Sequence, residues 1–274
     1  MRRLAAPVAC LLLPLALAAP AAADTAITSK SVTSVAAFGG FQVWDVPSKG
    51  RWRLYRSSRS VAALPVKRSR RPFDADVGAR LGGGIAAVYR RCKTRRSCAI
   101  YRYDFRRGRE RREPNTHRRG CSEGRPSTWR GQVAFVRSGA ARCKPGIYIR
   151  GSGKGARPRR LAKVRAGATD LRARIVLWQD ATRVGLVSFS GKLTVLATGR
   201  PTLVGFEGTK DYWLEARGTR NVLVRLTHDR QSREEVELPF FPGSAAVDSG
   251  RFFYRLPGAS GRLFEEDPFP FPDV

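Results

Sequence analysis

One unit recurs along this chain, and it restricts the possible folds more than any single motif does. An apolar residue precedes a tight turn, and a strand-like run then reaches an aromatic. The clear copies are FGGFQVW at 38–44, WRGQVAF at 129–135, LRARIVLW at 171–178 and VDSGRFFY at 247–254. Less regular copies are LGGGIAAVY at 81–89 and FEGTKDYW at 206–213. The aromatics are Trp44, Tyr89, Phe135, Trp178, Trp213 and Tyr254, separated by 45, 46, 43, 35 and 41 residues. Self-similarity at a period near forty points to stacked or circular repeats rather than to one continuous sheet.

Two further strand-like pieces follow the aromatic. LYR at 54–56, IYR at 100–102 and IYI at 147–149 stand for one of them; RRL at 159–161, KLTVL at 192–196 and EEVELP at 234–239 stand for the other. Apolar spacing at i, i+3, i+4, i+7 is not sustained anywhere, so helices are not expected. Each unit therefore reads as four short antiparallel strands joined by hairpins. Four strands per unit and six units describe an all-β, six-bladed β-propeller. A single four-stranded sheet cannot bury both faces, so the aromatics are expected to pack blade on blade. The last unit, 243–268, looks one strand short. TAITSKSV at 25–32 is predicted to supply the missing outer strand and close the ring.

The run IYRYDFRRGRERRE at 100–113 sets a strand before Asp-x-x-x-Gly (Asp104 to Gly108) and a second strand. It resembles the repeats of TolB-like six-bladed β-propellers, in particular exported, arginine-rich actinobacterial members of that class. The resemblance covers nearly the whole mature chain and implies the propeller fold. It implies no one activity, because propellers serve binding and catalysis alike.

Residues 1–23 read as a cleaved secretory signal. Arg2 and Arg3 precede an apolar stretch from Leu4 to Ala19, and Ala21-Ala22-Ala23 forms a small-residue cleavage site. Residues 24–268 then form one propeller domain, and 269–274 a proline-rich end. No later stretch is long and apolar enough to cross a membrane, so the mature chain is read as not transmembrane. The signal pattern makes it secreted or extracytoplasmic, and a monomer is expected. With Cys10 removed in the signal, Cys92, Cys98, Cys121 and Cys143 remain. Four cysteines allow three pairings. The local pairs, Cys92–Cys98 and Cys121–Cys143, are expected as structural staples.

Charge is unevenly placed on this chain of net charge +30. Residues 51–162 carry 32 basic and 6 acidic side chains, whereas 201–274 carry 9 and 12. Such asymmetry points to an anionic partner. The arginines that would form the binding flank are Arg68, Arg70, Arg71, Arg90, Arg91, Arg95, Arg96, Arg106, Arg107, Arg109, Arg118 and Arg119. The expected partners are an anionic envelope polymer, acidic lipid headgroups or an acidic protein. Export makes nucleic acid an unphysiological target, although it would bind non-specifically with steep salt dependence.

Catalytic signatures are missing from the sequence: no GxSxG, HExxH, Walker loop or strand-to-helix GxGxxG occurs. His117 and His228 read as surface residues. No cofactor or metal is expected. The alternative function is a hydrolase or lyase acting on an acidic saccharide through Asp74 and Asp76 of PFDADVG, two apart on a strand and facing the central channel together. Those two carboxylates are too few to hold Ca²⁺ without a partner such as Asp170, and salt bridges to the nearby arginines are their expected role. The acidic end, FEEDPFPFPDV, offers Glu265, Glu266 and Asp267 for docking onto the basic flank.

Overall fold

A computed structural model describes residues 25–28, 31–58, 60–94, 98–229, 232–256 and 262–268. Residues 1–23 and 269–274, read above as signal and proline-rich end, lie outside the described residues, as do Arg95 and Arg96.

Among the described residues, twenty-four strands form six four-stranded antiparallel sheets, one per blade. After β1 (Thr25–Thr28), blade I holds β2 (Val35–Phe38), β3 (Phe41–Ser48), β4 (Arg51–Ser57) and β5 (Ala62–Ala63). Blade II holds β6 (Ala75–Ala79), β7 (Ile85–Cys92), β8 (Cys98–Asp104) and β9 (Arg109–Arg112). Blade III holds β10 (Ser122–Trp129), β11 (Gln132–Ser138), β12 (Gly146–Arg150) and β13 (Arg159–Ala162). Blade IV holds β14 (Ala168–Arg172), β15 (Ile175–Gln179), β16 (Arg183–Ser188) and β17 (Leu193–Thr198). Blade V holds β18 (Thr202–Glu207), β19 (Lys210–Arg217), β20 (Arg220–Thr227) and β21 (Arg233–Leu238). Blade VI holds β22 (Ser244–Asp248), β23 (Arg251–Arg255) and β24 (Leu263–Glu266), with β1 as its outer strand.

The ring closes where the sequence placed the closure. Thr25 pairs with Glu265 and Thr28 with Leu263 across β1 and β24. Glu265 therefore belongs to the sheet and donates no docking arm; its carboxylate pairs with Arg251 of the adjacent strand at 2.5 Å. The first strand of every blade lines the central channel. Hairpins between first and second strands, and between third and fourth, lie at one end of that channel, the hairpin end. Second-to-third hairpins and the connections between blades lie at the opposite, crossover end.

All six recurrent aromatics sit in the second strand of their blade, and none is more than 1% exposed. Each joins the apolar layer shared with the preceding blade: Tyr89 packs toward blade I, Phe135 toward II, Trp178 toward III, Trp213 toward IV, Tyr254 toward V and Trp44 toward VI. Apolar burial is thus divided into six interblade layers rather than gathered in one centre. Both disulfides form with the expected pairing. Cys92 and Cys98 stand opposite each other across β7 and β8.

Close packing has local requirements. Trp178 faces Gly185 across β15 and β16. A Cβ at Gly185 would lie 2.7 Å from the Trp178 ring and 2.4 Å from the Thr194 carbonyl oxygen. Overfilling a packed site of this kind usually costs about 1–3 kcal/mol. Gly185→Ala should therefore lower unfolding stability by about that amount in a denaturant titration, while Gly153→Ala, in open space, should leave it nearly unchanged.

Candidate functional site

At the crossover end, between blades I and II, three separate segments meet around a cleft of about 400 Å³. Arg51 opens β4 directly after the Lys49–Gly50 turn. Lys67, Arg68 and Arg70 lie on the connection between the blades, and Lys93 follows β7. Ser69, fully buried, anchors the connection. Its backbone exchanges hydrogen bonds with Trp52 (2.9 and 3.1 Å), and its Oγ accepts from the Cys92 N–H (3.1 Å) and the Arg71 N–H (3.2 Å). Arg70 N–H donates to the Cys92 carbonyl at 2.9 Å. With Ser69 turned inward, its neighbours Arg68 and Arg70 stand outward, as alternation along extended backbone requires. Arg91 forms part of the floor; its guanidinium is held by Glu110 and lies 3.7 Å over the Tyr101 ring.

Arg51, Lys67, Arg68, Arg70 and Lys93 are exposed, and none of them forms an ion pair among the described residues. The acids of this region are engaged elsewhere. Glu113, with a fully buried side chain, accepts from Arg102 Nε at 3.0 Å and Arg150 Nη1 at 2.7 Å. Glu123, equally buried, accepts from Arg137 Nε and the Arg118 N–H, both at 3.1 Å, and meets His117 Nδ1 at 3.3 Å. Burial pushes the Glu123 carboxyl up, against the opposing pull of those donors. With these carboxylates drawn inward and Glu110 taken up by Arg91, no carboxylate lines the groove among the described residues.

Strand polarity divides the remaining arginines that the sequence singled out. Arg71 is exposed beside the groove, and Arg118 and Arg119 are exposed on the next connection at the same end. Arg90 is half-buried and grips Asp74 at 2.8 Å. Arg106, Arg107 and Arg109 sit beyond β8, whose seven residues cover about 23 Å at roughly 3.3 Å each. They therefore occupy the hairpin end, with Arg107 Nε 3.9 Å from Asp104. The flank is not one patch, and Arg51, Lys67 and Lys93 complete the part that is concave. The strand assignment held the signal for them: a turn before a third strand must share an end with the connections between blades.

The channel, about 170 Å³, is lined by Asp74, Asp76, Arg125, Asp170 and Arg172 among hydroxyl and apolar groups. Phe38 and Trp129 meet edge to face across its hairpin-end mouth at 5.5 Å, with the Arg172 guanidinium 5.1 Å over the Trp129 ring. Asp74 and Asp76 do not face it as a matched pair. Asp74 precedes β6 in left-handed backbone, φ 44°, and its carboxylate lies between Arg90 (2.8 Å) and Arg125 (2.9 Å). Asp76 accepts the Thr128 N–H of blade III at 2.7 Å, and Asp170 accepts those of Phe206 and Leu171, each at 2.7 Å. Both retain some exposed surface toward the channel, but inner strands wall them on every side, and that enclosure governs their titration. Burial pushes Asp170 up to about 6; burial, and then the charge of Asp170, pushes Asp76 up as well.

One pair escaped the sequence. His228 Nε2 lies 2.8 Å from Oδ1 of the buried Asp211, seventeen residues away, rather than pairing with the adjacent Asp229. The imidazole also meets Phe206 edge to face. Among the described residues no three His, Cys, Asp or Glu side chains are grouped to hold a metal ion, and no helix is long and apolar enough to cross a membrane.

No protein-family model matches the sequence, and no curated protein does either. Solved structures do match. TolB from Acinetobacter baumannii is 14% identical over 77% of this chain, with TM-score 0.53; this chain spans 55% of TolB's length. An oligogalacturonate lyase in complex with manganese is 11% identical, with 86% and 74% of the two chains covered and TM-score 0.59. The β-propeller domain of the Trilobed protease from Pyrococcus furiosus is 12% identical, with 88% and 83% covered and TM-score 0.53. At such identities the likeness is one of fold.

The raised Asp170 gives a signed pH dependence. A carboxyl held more tightly protonated in the folded chain favours folding below its unfolded value, 3.8, and loses that contribution as pH rises toward 6. Replacing it by the uncharged Asp170→Asn removes the dependence. Measured as denaturant midpoints, the variant should gain on the parent between pH 4 and pH 7 by on the order of 2 kcal/mol, at about 1.4 per pKa unit. A constant difference across that range would show that Asp170 titrates normally.

Proposed function

We propose that this protein is an extracytoplasmic binding module for a polyanion and acts by binding rather than by turnover. The observation that carries the reading is the convergence of Arg51, Lys67, Arg68, Arg70 and Lys93 on one cleft that no carboxylate lines among the described residues. Unpaired cations in a concavity raise the local potential and draw in anions from a distance. Arginine forks add bidentate grip on phosphate or carboxylate. An anionic envelope polymer, an acidic lipid headgroup or an acidic protein face meets that description. The export pattern of residues 1–23 and two disulfides support a place outside the reducing cytoplasm.

The saccharide hydrolase or lyase reading has less support in the residues. Asp74 is neutralised by two arginines, and Asp76 and Asp170 hold backbone N–H groups of neighbouring blades. Two carboxylates free to act on one substrate are not assembled there.

Retention of the mature protein on isolated cell envelopes, at low and high salt, tests the proposal. Arg68→Ser with Arg70→Ser should weaken retention and reduce the salt slope by about 2, one for each lost contact. Arg106→Ser with Arg107→Ser, at the opposite end, should leave both nearly unchanged. Equal losses from the two pairs would mean that diffuse charge, not the groove, holds the polyanion.

A further inference from the structure

Resting on the polyanion reading, we infer that the groove is built for a compact chain of phosphates, a soluble linear oligophosphate. Charge density decides between phosphate and carboxylate ligands. Five exposed cations surround a cleft of about 400 Å³ without a counter-charge. An acidic saccharide carries one carboxylate per sugar ring, too sparse to meet five cations within that space. Each phosphate of a linear chain brings its own charge and several strong acceptor oxygens, so roughly three linked units suffice. The donor set agrees. Arg51, Arg68 and Arg70 offer planar forks for bidentate contact, while Lys67 and Lys93 act as point charges.

The lining also argues against other carriers of phosphate. It contains Arg51, Lys67, Arg68, Arg70, Arg91, Cys92 and Lys93, with no aromatic side chain to stack a base. A nucleotide or nucleic acid would gain nothing there beyond its phosphates. A bilayer surface would need an apolar anchor beside the cations. Among the described residues, the exposed large apolar side chains, Val61, Leu81, Leu193 and Val195, lie elsewhere: Val61 and Leu81 on hairpin-end connections, Leu193 and Val195 on the outer edge of blade IV.

Ser69 is the positioning residue of the groove. It touches no ligand, yet its buried hydroxyl and backbone join the connection to Trp52 of blade I and Cys92 of blade II. Both flanking arginines are thereby presented before a ligand arrives, which reduces the ordering that binding requires.

Calorimetric titration of the mature protein at fixed ionic strength tests the assignment, with inorganic tripolyphosphate, inorganic monophosphate, citrate and vesicles of anionic phospholipid as probes. Tripolyphosphate should bind about tenfold or more tighter than citrate, and it should displace the protein from vesicles. Arg68→Ser should weaken tripolyphosphate binding and lower its salt slope by about 1. Ser69→Ala should weaken it several-fold with the slope unchanged, because the charges remain while their presentation is lost. Citrate equal to tripolyphosphate, with both sensitive to Arg68→Ser, would overturn the phosphate assignment and leave the polyanion reading standing. Vesicle binding that tripolyphosphate does not compete would overturn it in favour of a membrane surface. Failure of every probe to bind while envelope retention persists would overturn the phosphate assignment alone; loss of envelope retention as well would overturn both readings.

Discussion

Asp45, Asp76, Asp170 and Asp248 each hold a backbone N–H of the next blade around the ring. The bonds run to Phe73 at 2.8 Å, Thr128 at 2.7 Å, Phe206 at 2.7 Å, and Gly39 and Gly40 at 2.8 and 2.7 Å. Glu207 does the same for Gly250. Between blades III and IV, the Thr169 hydroxyl donates to the Arg125 carbonyl instead, at 2.6 Å. Thr128 and Phe206 lie on inner strands, which have a sheet neighbour on one side only. Gly39, Gly40 and Gly250 lie in hairpin turns, and Phe73 on the connection before β6. In each place the N–H would otherwise lack a partner. A charged acceptor makes a shorter and stronger bond than a neutral one, and at Asp45, Asp76 and Asp170 the burial that raises the carboxyl sets a cost against that gain.

The same use of acids shapes the surface. A chain with 22 acidic and 52 basic side chains has few carboxylates to place. Of those in blades I to III, Asp45 and Asp76 make interblade bonds, Glu113 and Glu123 sit in buried pairs, and Asp74, Asp104 and Glu110 are each taken up by arginines. Surface cations nearby are left without partners. The fastening of the ring and the bareness of the groove thus have one cause. Arg102 and Arg150 would be stranded inside without Glu113, since a buried charge deprived of its partner is strongly destabilising.

Much of the fold was legible because it is written locally. Turn residues, a two-residue alternation and an aromatic in each second strand repeat closely enough to be counted. Their common setting, each packed against the preceding blade, explains why the period survives when the flanking residues drift. Closure by residues near the start was also legible, as a strand missing from blade VI. The groove was only half visible. Arg68 and Arg70 stand in a basic run, whereas Arg51 and Lys93 join them through strand direction and register. Counting arginines also merged the two ends of blade II, because sequence proximity across a hairpin hides the length of the strand between. Asp74 illustrates a different gap: alternation assumed extended backbone at a position that is left-handed. The His228–Asp211 pair needed the β19–β20 register, which no short motif records.

Closure by β1 and β24 also sets how the ring would respond to load. The two strands are antiparallel, with Thr25 opposite Glu265 and Thr28 opposite Leu263. Tension applied between Thr25 and Glu266 would therefore pull on neighbouring ends of one strand pair. Its hydrogen bonds would meet the force one after another, as in a zipper, rather than together, as in shear. Blade VI would peel open under modest force while the other five blades, each made from one continuous stretch of chain, stayed intact. The joint that completes the ring is also its most compliant seam.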